Sequence, residues 1–222
     1  MKNILLVGAS SAAAKDLFNT YNKRYNFIRL SSDSSESDIH NFNVLNPETY
    51  YVNEELKYDG LVYFPGSINL KPFKNLKIED FYKDFEINIV GLIKILKFYQ
   101  LNFTEGSSII FISSLASKIG MPFHSSVSLV KSAIVGLCSS LAAEFAPNIR
   151  VNCIAPSLTN SKISNFLLKN EKMAESIAKM HPLKRIGEGV DSASVAKFLL
   201  TEESSWITGQ ILGVDGGRSS VA

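Results

Sequence analysis

Residues 3–17 read "NILLVGASSAAAKDL", and this stretch decides the fold. An apolar run leads into a glycine, small hydroxyl residues follow, and an alanine-rich segment then begins. This order predicts a buried strand, a tight turn at Gly8 and the start of a helix. The N-terminus of such a helix presents free backbone N–H groups and the positive end of the helix dipole, so it can hold a pyrophosphate. The same turn also serves simply as a helix cap, and both interpretations stay open at this point.

Short apolar, β-branched runs recur along the chain and alternate with segments of helical periodicity. They are "NILLVGA" (3–9), "NFIRL" (26–30), "NFNVL" (41–45), "DGLVYF" (59–64), "SSIIFIS" (107–113), "NIRVNCIAP" (148–156) and "QILGVD" (210–215). Most are too apolar for one face to meet water, so they predict a parallel sheet of about seven strands between helices, in one α/β domain over residues 1–222. The polar segment "DSSESDI" (33–39) is too short for an ordinary crossover helix, so that crossover is expected to be abbreviated.

Composition excludes several classes of function. The 222 residues contain 23 Lys and Arg against 21 Asp and Glu, and the basic residues are scattered, so we expect no nucleic-acid partner. The apolar runs are short and the N-terminus lacks the zones of a signal peptide, which indicates a cytoplasmic protein without a membrane partner. Cys138 and Cys153 lie among small or apolar residues and outside any metal-ligand spacing, so we expect two buried reduced thiols and no metal site.

Two longer segments have helical periodicity with one polar residue in each apolar row. In residues 79–100 the row is Phe81, Phe85, Asn88, Leu92, Leu96 and Tyr99. Asn88 is therefore expected to be buried and hydrogen-bonded. In residues 127–146 the row is Val127, Lys131, Ile134, Cys138, Leu141 and Phe145. A lysine on a packed face needs a partner or a ligand, because an unpaired buried ammonium is costly.

Further segments complete a recognisable pattern: "FEINIVG" (85–91), "IIFISS" (109–114), "PLKRIGE" (182–188), "FLLTEESSWITGQ" (198–210) and "VDGG" (214–217). Together with the strands above, they resemble the short-chain dehydrogenase/reductase family over nearly the whole chain. The pattern is most similar to the branch containing the 3-oxoacyl-acyl-carrier-protein reductases. The resemblance implies one Rossmann-type domain, a three-layer sandwich around a doubly wound parallel sheet.

The resemblance implies a nicotinamide dinucleotide, NAD or NADP, at the first turn. The glycine motif of the family, TGxxxGxG, falls on Val7, Gly8, Ala12 and Ala14, so only its first glycine is present. The Ala12 methyl group takes space where the backbone approaches the pyrophosphate, so cofactor affinity is expected to be reduced. The implied cofactor-binding residues are Gly8, Ser10, Ser11, Ala13, Ser32, Asn43, Val44, Phe64, Gly66, Lys131, Pro156 and Thr159.

Three substitutions bear on the adenosine end of that site. The family's Asn-Asn-Ala-Gly is here Tyr63 to Gly66, which places bulky rings near the adenosine and leaves open whether the pocket is reshaped or filled. The family's Asp-Val at the adenine is Asn43-Val44, and an amide still both donates and accepts hydrogen bonds. Ser32 stands where an acidic residue often selects the ribose hydroxyl, so NAD and NADP both remain possible.

The resemblance also implies a reaction centre of four residues. Ser114 corresponds to the serine that binds the substrate oxygen, Lys131 to the lysine that holds the ribose and lowers the pKa of the tyrosine, and Asn88 to the asparagine of the proton relay. The catalytic tyrosine falls on Val127. Valine has no ionisable proton, and general acid catalysis is worth on the order of 10²- to 10⁴-fold in rate, so the usual mechanism is unavailable.

His124 lies three residues before Val127 and is a candidate replacement, since an imidazole suits proton transfer near neutrality. A loop or helix-cap histidine is the simpler interpretation. Ser126 and Ser128 also neighbour the position, but on an ideal helix they point off the packed face, so they are interpreted as helix-start hydroxyls.

Two functions follow from these residues. One is an NAD(P)-dependent oxidoreductase acting on a carbonyl/alcohol pair with an unusual proton donor. The other is a non-catalytic protein of the same fold that binds a dinucleotide or a protein partner. Residues 157–182 correspond to the family's substrate lid, whose Phe166, Leu167 and Leu168 suggest an apolar lining for a small-molecule substrate, for which an acyl group is one interpretation. The same side chains would pack against the body of the protein if no ligand existed, so both interpretations stay open. Members of the family commonly form dimers and tetramers, so the resemblance implies a homodimer or homotetramer.

Overall fold

The computed structural model describes residues 1–221, which form one parallel sheet with helices on both faces. The strands are β1 (Lys2–Val7), β2 (Tyr25–Leu30), β3 (Tyr58–Tyr63), β4 (Phe103–Ile112), β5 (Ile149–Pro156) and β6 (Ile211–Val214). The helices are α1 (Ala12–Tyr21), α2 (Ile78–Phe85), α3 (Gly91–Tyr99), α4 (Ser125–Phe145), α5 (Asn165–Leu168), α6 (Glu171–Lys179) and α7 (Gly189–Leu200). The predicted fold class, a Rossmann-type three-layer sandwich, is confirmed.

The sheet order is β2-β1-β3-β4-β5-β6, and every neighbouring pair is parallel. The chain winds outward from β1 in one direction to β2 and in the other through β3 to β6. Between β1 and β3 the winding reverses, and in open α/β sheets ligands bind at the carboxyl ends of the strands at such a point. Gly8 follows β1 and residues 64–67 follow β3, so both lie at this place.

The structure has six strands, and the seventh predicted strand, "NFNVL" (41–45), is wrong. Its backbone groups are satisfied locally: the Asn43 N–H donates to Thr49 Oγ1 at 2.9 Å, and the Leu45 N–H donates to Asn43 Oδ1 at 2.9 Å. Asparagine side chains compete with a strand ladder in this way. Phe42 still packs in the core at 4% exposure, which explains the apolar signal. The abbreviated crossover is confirmed, because a single 3-10 turn, Ser34–Glu36, precedes the segment.

The helical row in residues 79–100 is interrupted by a π-helical segment, Glu86–Val90, between α2 and α3. One π turn holds an extra residue and rotates the helix before it relative to the helix after it. Asp84 consequently faces the core at 2% exposure, while Phe85 is 41% exposed. The prediction that Phe85 is packed is therefore wrong, whereas Asn88 is fully buried as predicted.

Helix α4 is long and apolar enough to span a membrane by length and composition. In the fold, its apolar row packs on β5 and the sheet as a core helix, and this burial accounts for the apolar composition of α4. Val127, Ile134 and Cys138 of the predicted row are buried, and Lys131 is only 7% exposed. Cys138 and Cys153 are free, buried thiols, and burial raises the pKa of each to about 12.

Alternation along the strands divides the core between the two faces of the sheet. Leu5 and Val7 of β1 face α3 and α4, whereas Ile4 and Leu6 face α1 and α7. Both faces of the central strands are thus covered, as the continuous apolar runs require.

Candidate active site

The turn after β1 needs a glycine for two reasons. Gly8 has a φ of +78°, and a Cβ atom there would lie 2.9 Å from Pro65 Cδ. Ser11 caps the following helix, because its Oγ accepts the Ala14 N–H at 3.2 Å. The serine therefore does act as a helix cap, one of the two interpretations left open above. The first helical N–H groups, those of Ala12 and Ala13, begin α1 at the carboxyl edge of the sheet.

The two rings after β3 lie on opposite sides of the sheet. Tyr63 is 1% exposed, and its hydroxyl donates to the Ile87 carbonyl at 2.9 Å within the α2–α4 face. Strand alternation turns the Tyr63 ring into the core, and its proximity to an adenosine stays a prediction. Phe64 is half-buried against the α1 and α7 face, and its N–H donates to the Val7 carbonyl at 2.9 Å.

At the adenosine end, Ser32 and Asn43 are both exposed. Asn43 Oδ1 accepts the Leu45 N–H, so the side-chain NH₂ group is the part left to face a ligand. Val44 is half-buried and packs near Gly91, where a Cβ atom would lie 3.1 Å from Val44 Cγ2. Asp33, beside Ser32, forms a 3.4 Å ion pair with Lys162 of the predicted lid.

Lys131, Asn88 and Gly66 meet beside the carboxyl end of β4. The Lys131 Nζ donates to the Ile112 carbonyl at 3.0 Å, and burial lowers the pKa of this ammonium to about 8. A Cβ atom at Gly66 would lie 3.0 Å from both Asn88 Oδ1 and Lys131 Nζ. A glycine at position 66 therefore leaves the space into which the amide oxygen and the ammonium project.

Asn88 is held through its amide nitrogen. Nδ2 donates to the Asp84 carbonyl at 2.8 Å and to Ser67 Oγ at 3.1 Å. Its Oδ1 is buried and accepts no hydrogen bond from residues 1–221. A buried acceptor without a donor is uncommon and marks a place that a water molecule or a ligand group would satisfy.

Ser114, Val127 and His124 complete the predicted reaction centre. Ser114 follows β4 and is half-buried, with Oγ accepting the Ala116 N–H at 3.2 Å. Val127 is 4% exposed near the start of α4. His124 precedes that helix, and its Nδ1 lies 2.7 Å from the Pro122 carbonyl, so Nδ1 carries the proton. In this arrangement Nε2 is the imidazole atom left for other contacts.

Sequence reasoning missed the residues that surround Asn88. The buried Asp84 carboxylate accepts hydrogen bonds from Ser67 Oγ through Oδ1 and from Ser126 Oγ through Oδ2. Ser126 is fully buried, so its interpretation as a hydroxyl off the packed face is wrong. The available signal was an acidic residue four positions before Asn88, but only the π-helical segment turns that residue inward.

The lid side carries a cavity of about 370 Å³, bounded by Ser157, His181, Arg185, Asp191 and Asp215 among others. His181 is 2% exposed, and its Nε2 lies 2.7 Å from Ser157 Oγ. This pair joins the two ends of the predicted lid, which contains α5 and α6. Pro156 ends β5 and Thr159 bridges to Gly187 at the same edge, but neither lines the cavity.

Comparison with known proteins adds a family and several relatives. A family model described as enoyl-(acyl carrier protein) reductase matches residues 11–219. "Tropinone reductase-like 3" of Erythroxylum coca is 35% identical over 138 residues, which are 62% of this chain and 54% of that protein. The matched region spans about half the length of the first curated relatives.

Solved structures match over the whole chain. The ligand-free aldohexose dehydrogenase of Thermoplasma acidophilum has a TM-score of 0.90 at 26% identity, covering 100% of this chain and 95% of that one. A tyrosine-to-phenylalanine variant of ElxO with NADPH bound has a TM-score of 0.85 at 25% identity, covering 99% of both chains.

Proposed function

Because the chain belongs to the short-chain dehydrogenase/reductase family, we propose that it is an NAD(P)-dependent oxidoreductase acting on a carbonyl/alcohol pair, with Val127 in the position of the catalytic tyrosine. The observation that carries the proposal is the meeting of Lys131, Asn88 and Gly66 at the carboxyl edge of the sheet. A buried ammonium and an unsatisfied amide oxygen there are costly unless they serve a ligand.

The residues present fit a dinucleotide at both ends of the edge. Gly8 and the start of α1 offer backbone N–H groups for a pyrophosphate, although the Ala12 methyl group narrows the approach. Lys131 would hold the ribose next to the nicotinamide. The nucleotide, when bound, exchanges a hydride with the substrate carbon. Ser114 would hydrogen-bond the substrate oxygen.

The proton at the substrate oxygen needs a group other than residue 127. His124 stays the candidate, because its Nε2 is the atom left for other contacts. The relatives fit this general picture, since a neighbour at 25% identity holds NADPH in a variant whose tyrosine is replaced. Whether NAD or NADP is used is open, because Ser32 carries no charge. A small-molecule substrate with an acyl group, a cytoplasmic location and a homo-oligomer belong to the same proposal.

A non-catalytic dinucleotide-binding or partner-binding protein is the second candidate. Val127 favours it, because the side chain has no proton to give and is almost fully buried. The two candidates differ in turnover but share the nucleotide site, so binding is tested first.

The test is a titration with NADPH and with NADH, followed by nucleotide fluorescence and by calorimetry. We expect saturable binding that weakens by about tenfold or more in Lys131→Ala, since a hydrogen bond to a charged group is worth about 1.5–3 kcal/mol. Lys97→Ala, an exposed lysine of α3, is the matched control. Absence of binding by the wild-type protein at millimolar nucleotide would refute both candidates in their nucleotide-binding form.

A further inference from the structure

A buried acidic cluster lies beside the position of the missing tyrosine. It consists of Asp84, Ser67, Ser126, Asn88 and Lys131, and is called here the Asp84 cluster. Ser126 directly precedes Val127 in α4 and donates to the Asp84 carboxylate, while Ser67 links that carboxylate to the Asn88 amide. Asn88 Oδ1 and Lys131 Nζ then face the same point above Gly66. Hydrogen bonds therefore connect Asp84 with Asn88, and the unsatisfied Asn88 Oδ1 faces the same point as the Lys131 Nζ.

A carboxylate at this place is unfavourable by packing alone. Asp84 is 2% exposed on the face of α2 where an apolar side chain would bury its surface without desolvating a charge. None of the ion pairs found within 4.0 Å across residues 1–221 includes Asp84 or Lys131. The carboxylate and the ammonium are thus oppositely charged groups of one buried cluster that do not form a direct ion pair.

The other groups around Lys131 leave Asp84 as its counter-charge. Strand β4 presents the Ile112 carbonyl and the Ser113 hydroxyl, which are uncharged. Strand β5 presents Cys153, whose pKa burial raises to about 12, so this thiol is neutral near physiological pH. Burial lowers the pKa of Lys131, and its proximity to Cys153 and then to the Asp84 carboxylate of α2 opposes that lowering. Because the thiol is neutral, the carboxylate is the counter-charge.

We propose that Asp84 is a positioning residue that supplies the counter-charge for Lys131. Ser126 and Ser67 hold the carboxylate in place through their hydroxyl groups. This explains how Lys131 is kept on a packed face without a tyrosine. The consequence for nucleotide binding rests on the proposed function, but the charge coupling itself does not.

The test is a double-mutant cycle on protein stability, which needs no ligand. Urea unfolding at pH 7 compares the wild-type protein with Asp84→Asn, Lys131→Met and the double variant. Because Lys131→Met removes a buried charge as well as the partner of Asp84, the coupling between the two changes is the decisive quantity. We expect Lys131→Met to be clearly less unfavourable in the Asp84→Asn background than in the wild type. Additive effects would overturn the proposal. Glu86→Gln, an exposed acid of the adjoining π-helical segment, is the matched control and should be additive with Lys131→Met.

A pH series supplies a readout that a purely structural role would not move. The difference in stability between a protein and its Lys131→Met partner reports the titration of Lys131. Removing Asp84 should move that titration downward by about one pH unit. An unchanged midpoint would overturn the proposal. If Asp84→Asn does not fold, Ser126→Ala and Ser67→Ala, which loosen the carboxylate, should move the titration in the same direction, and no movement in either would also overturn it.

Measurements of nucleotide binding distinguish the charge coupling between Asp84 and Lys131 from the proposed function. If the wild-type protein binds NADPH, its affinity should begin to fall at a lower pH in Asp84→Asn than in the wild type. If the wild-type protein binds no nucleotide, the proposed function fails while the stability cycle still decides the charge coupling.

Discussion

At the scale of single residues, the chain combines a missing proton donor with a preserved lysine. Val127 is buried where the family has a tyrosine, and Lys131 remains one turn further along α4 at 7% exposure. In the proposed reaction, the absence of a hydroxyl at position 127 would remove the usual proton donor, whereas loss of Lys131 would remove the group proposed to hold the ribose. The two positions can therefore be tested separately.

Introducing a tyrosine hydroxyl at position 127 tests directly how much Val127 lowers the rate of carbonyl reduction. Val127→Tyr should raise the rate of NAD(P)H-dependent carbonyl reduction by on the order of 10²-fold or more, because a positioned general acid contributes that much. Turnover is measured over a panel of carbonyl compounds. Val127→Phe is the control, since it adds the ring without the hydroxyl. Equal rates for the two variants would show that a hydroxyl at position 127 does not reach the reacting atoms, and would favour the non-catalytic alternative.

Lys131 should also leave a signature in the pH dependence of stability. Its pKa is about 8 in the folded chain and about 10.4 when unfolded, so between these values the unfolded chain binds the proton and the folded chain does not. Stability from this group therefore rises with pH across that window, by up to about 3 kcal/mol.

Lys131→Met removes this dependence on pH. The free energy of unfolding of the wild type, relative to that of the variant, should therefore rise steadily from pH 8 to pH 10; this difference is called the gap. The raised pKa values of Cys138 and Cys153 act in the opposite direction in both proteins. The Cys138 contribution cancels in the comparison, whereas that of Cys153 cancels only in part, because Lys131 lowers the pKa of this thiol. Urea unfolding at several pH values measures the gap. A gap that is constant with pH would mean that the ammonium is solvated in the folded protein.

At the scale of elements, the loop after β3 brings the site together. Gly66 lies between Asn88 of the π-helical segment and Lys131 of α4, with 3.0 Å from its Cβ position to an atom of each. Gly66→Ala should therefore weaken nucleotide binding by displacing the amide oxygen or the ammonium, while leaving the sheet intact. Calorimetric titration measures the first effect and the circular dichroism spectrum the second.

Gly120→Ala is the matched control, because nothing lies within 4 Å of its Cβ position. It should leave nucleotide affinity within about twofold of the wild type, since a change that meets no neighbour is close to neutral. Similar losses in both variants would indicate a general effect of loop stiffening instead of a local contact.

The elements also show how far the sequence could be interpreted. Apolar runs predicted six strands correctly, because a buried parallel strand leaves an unambiguous signal. The false seventh strand had the same apolar signal from Phe42 but satisfied its backbone through asparagine turns. The inward position of Asp84 could not be predicted, since periodicity assumes a constant 3.6 residues per turn and the π-helical segment breaks it.

At the scale of the whole molecule, the helical face formed by α2, α3 and α4 retains apolar side chains on its outer side. Tyr82 is 64% exposed, Phe85 is 41%, Ile93 is 40% and Leu129 is 53% exposed. Single exposed apolar residues are ordinary, but several on neighbouring helices mark a surface suited to association. The same helices hold Asp84, Asn88 and Lys131 on their inner sides, so contacts on this surface would also stiffen the site.

We therefore expect the protein to associate through this helical face. Light scattering of the wild-type protein should report a multiple of the 24.5 kDa chain mass. Ile93→Glu or Leu129→Glu should lower the measured mass toward that of a single chain, because an unpaired carboxylate buried in the interface opposes association. Val52→Glu, an equally exposed apolar position in the loop before β3, is the control and should leave the mass unchanged. A wild-type particle of 24.5 kDa at working concentration would contradict the prediction, and the exposed side chains would then have to be explained by a different partner.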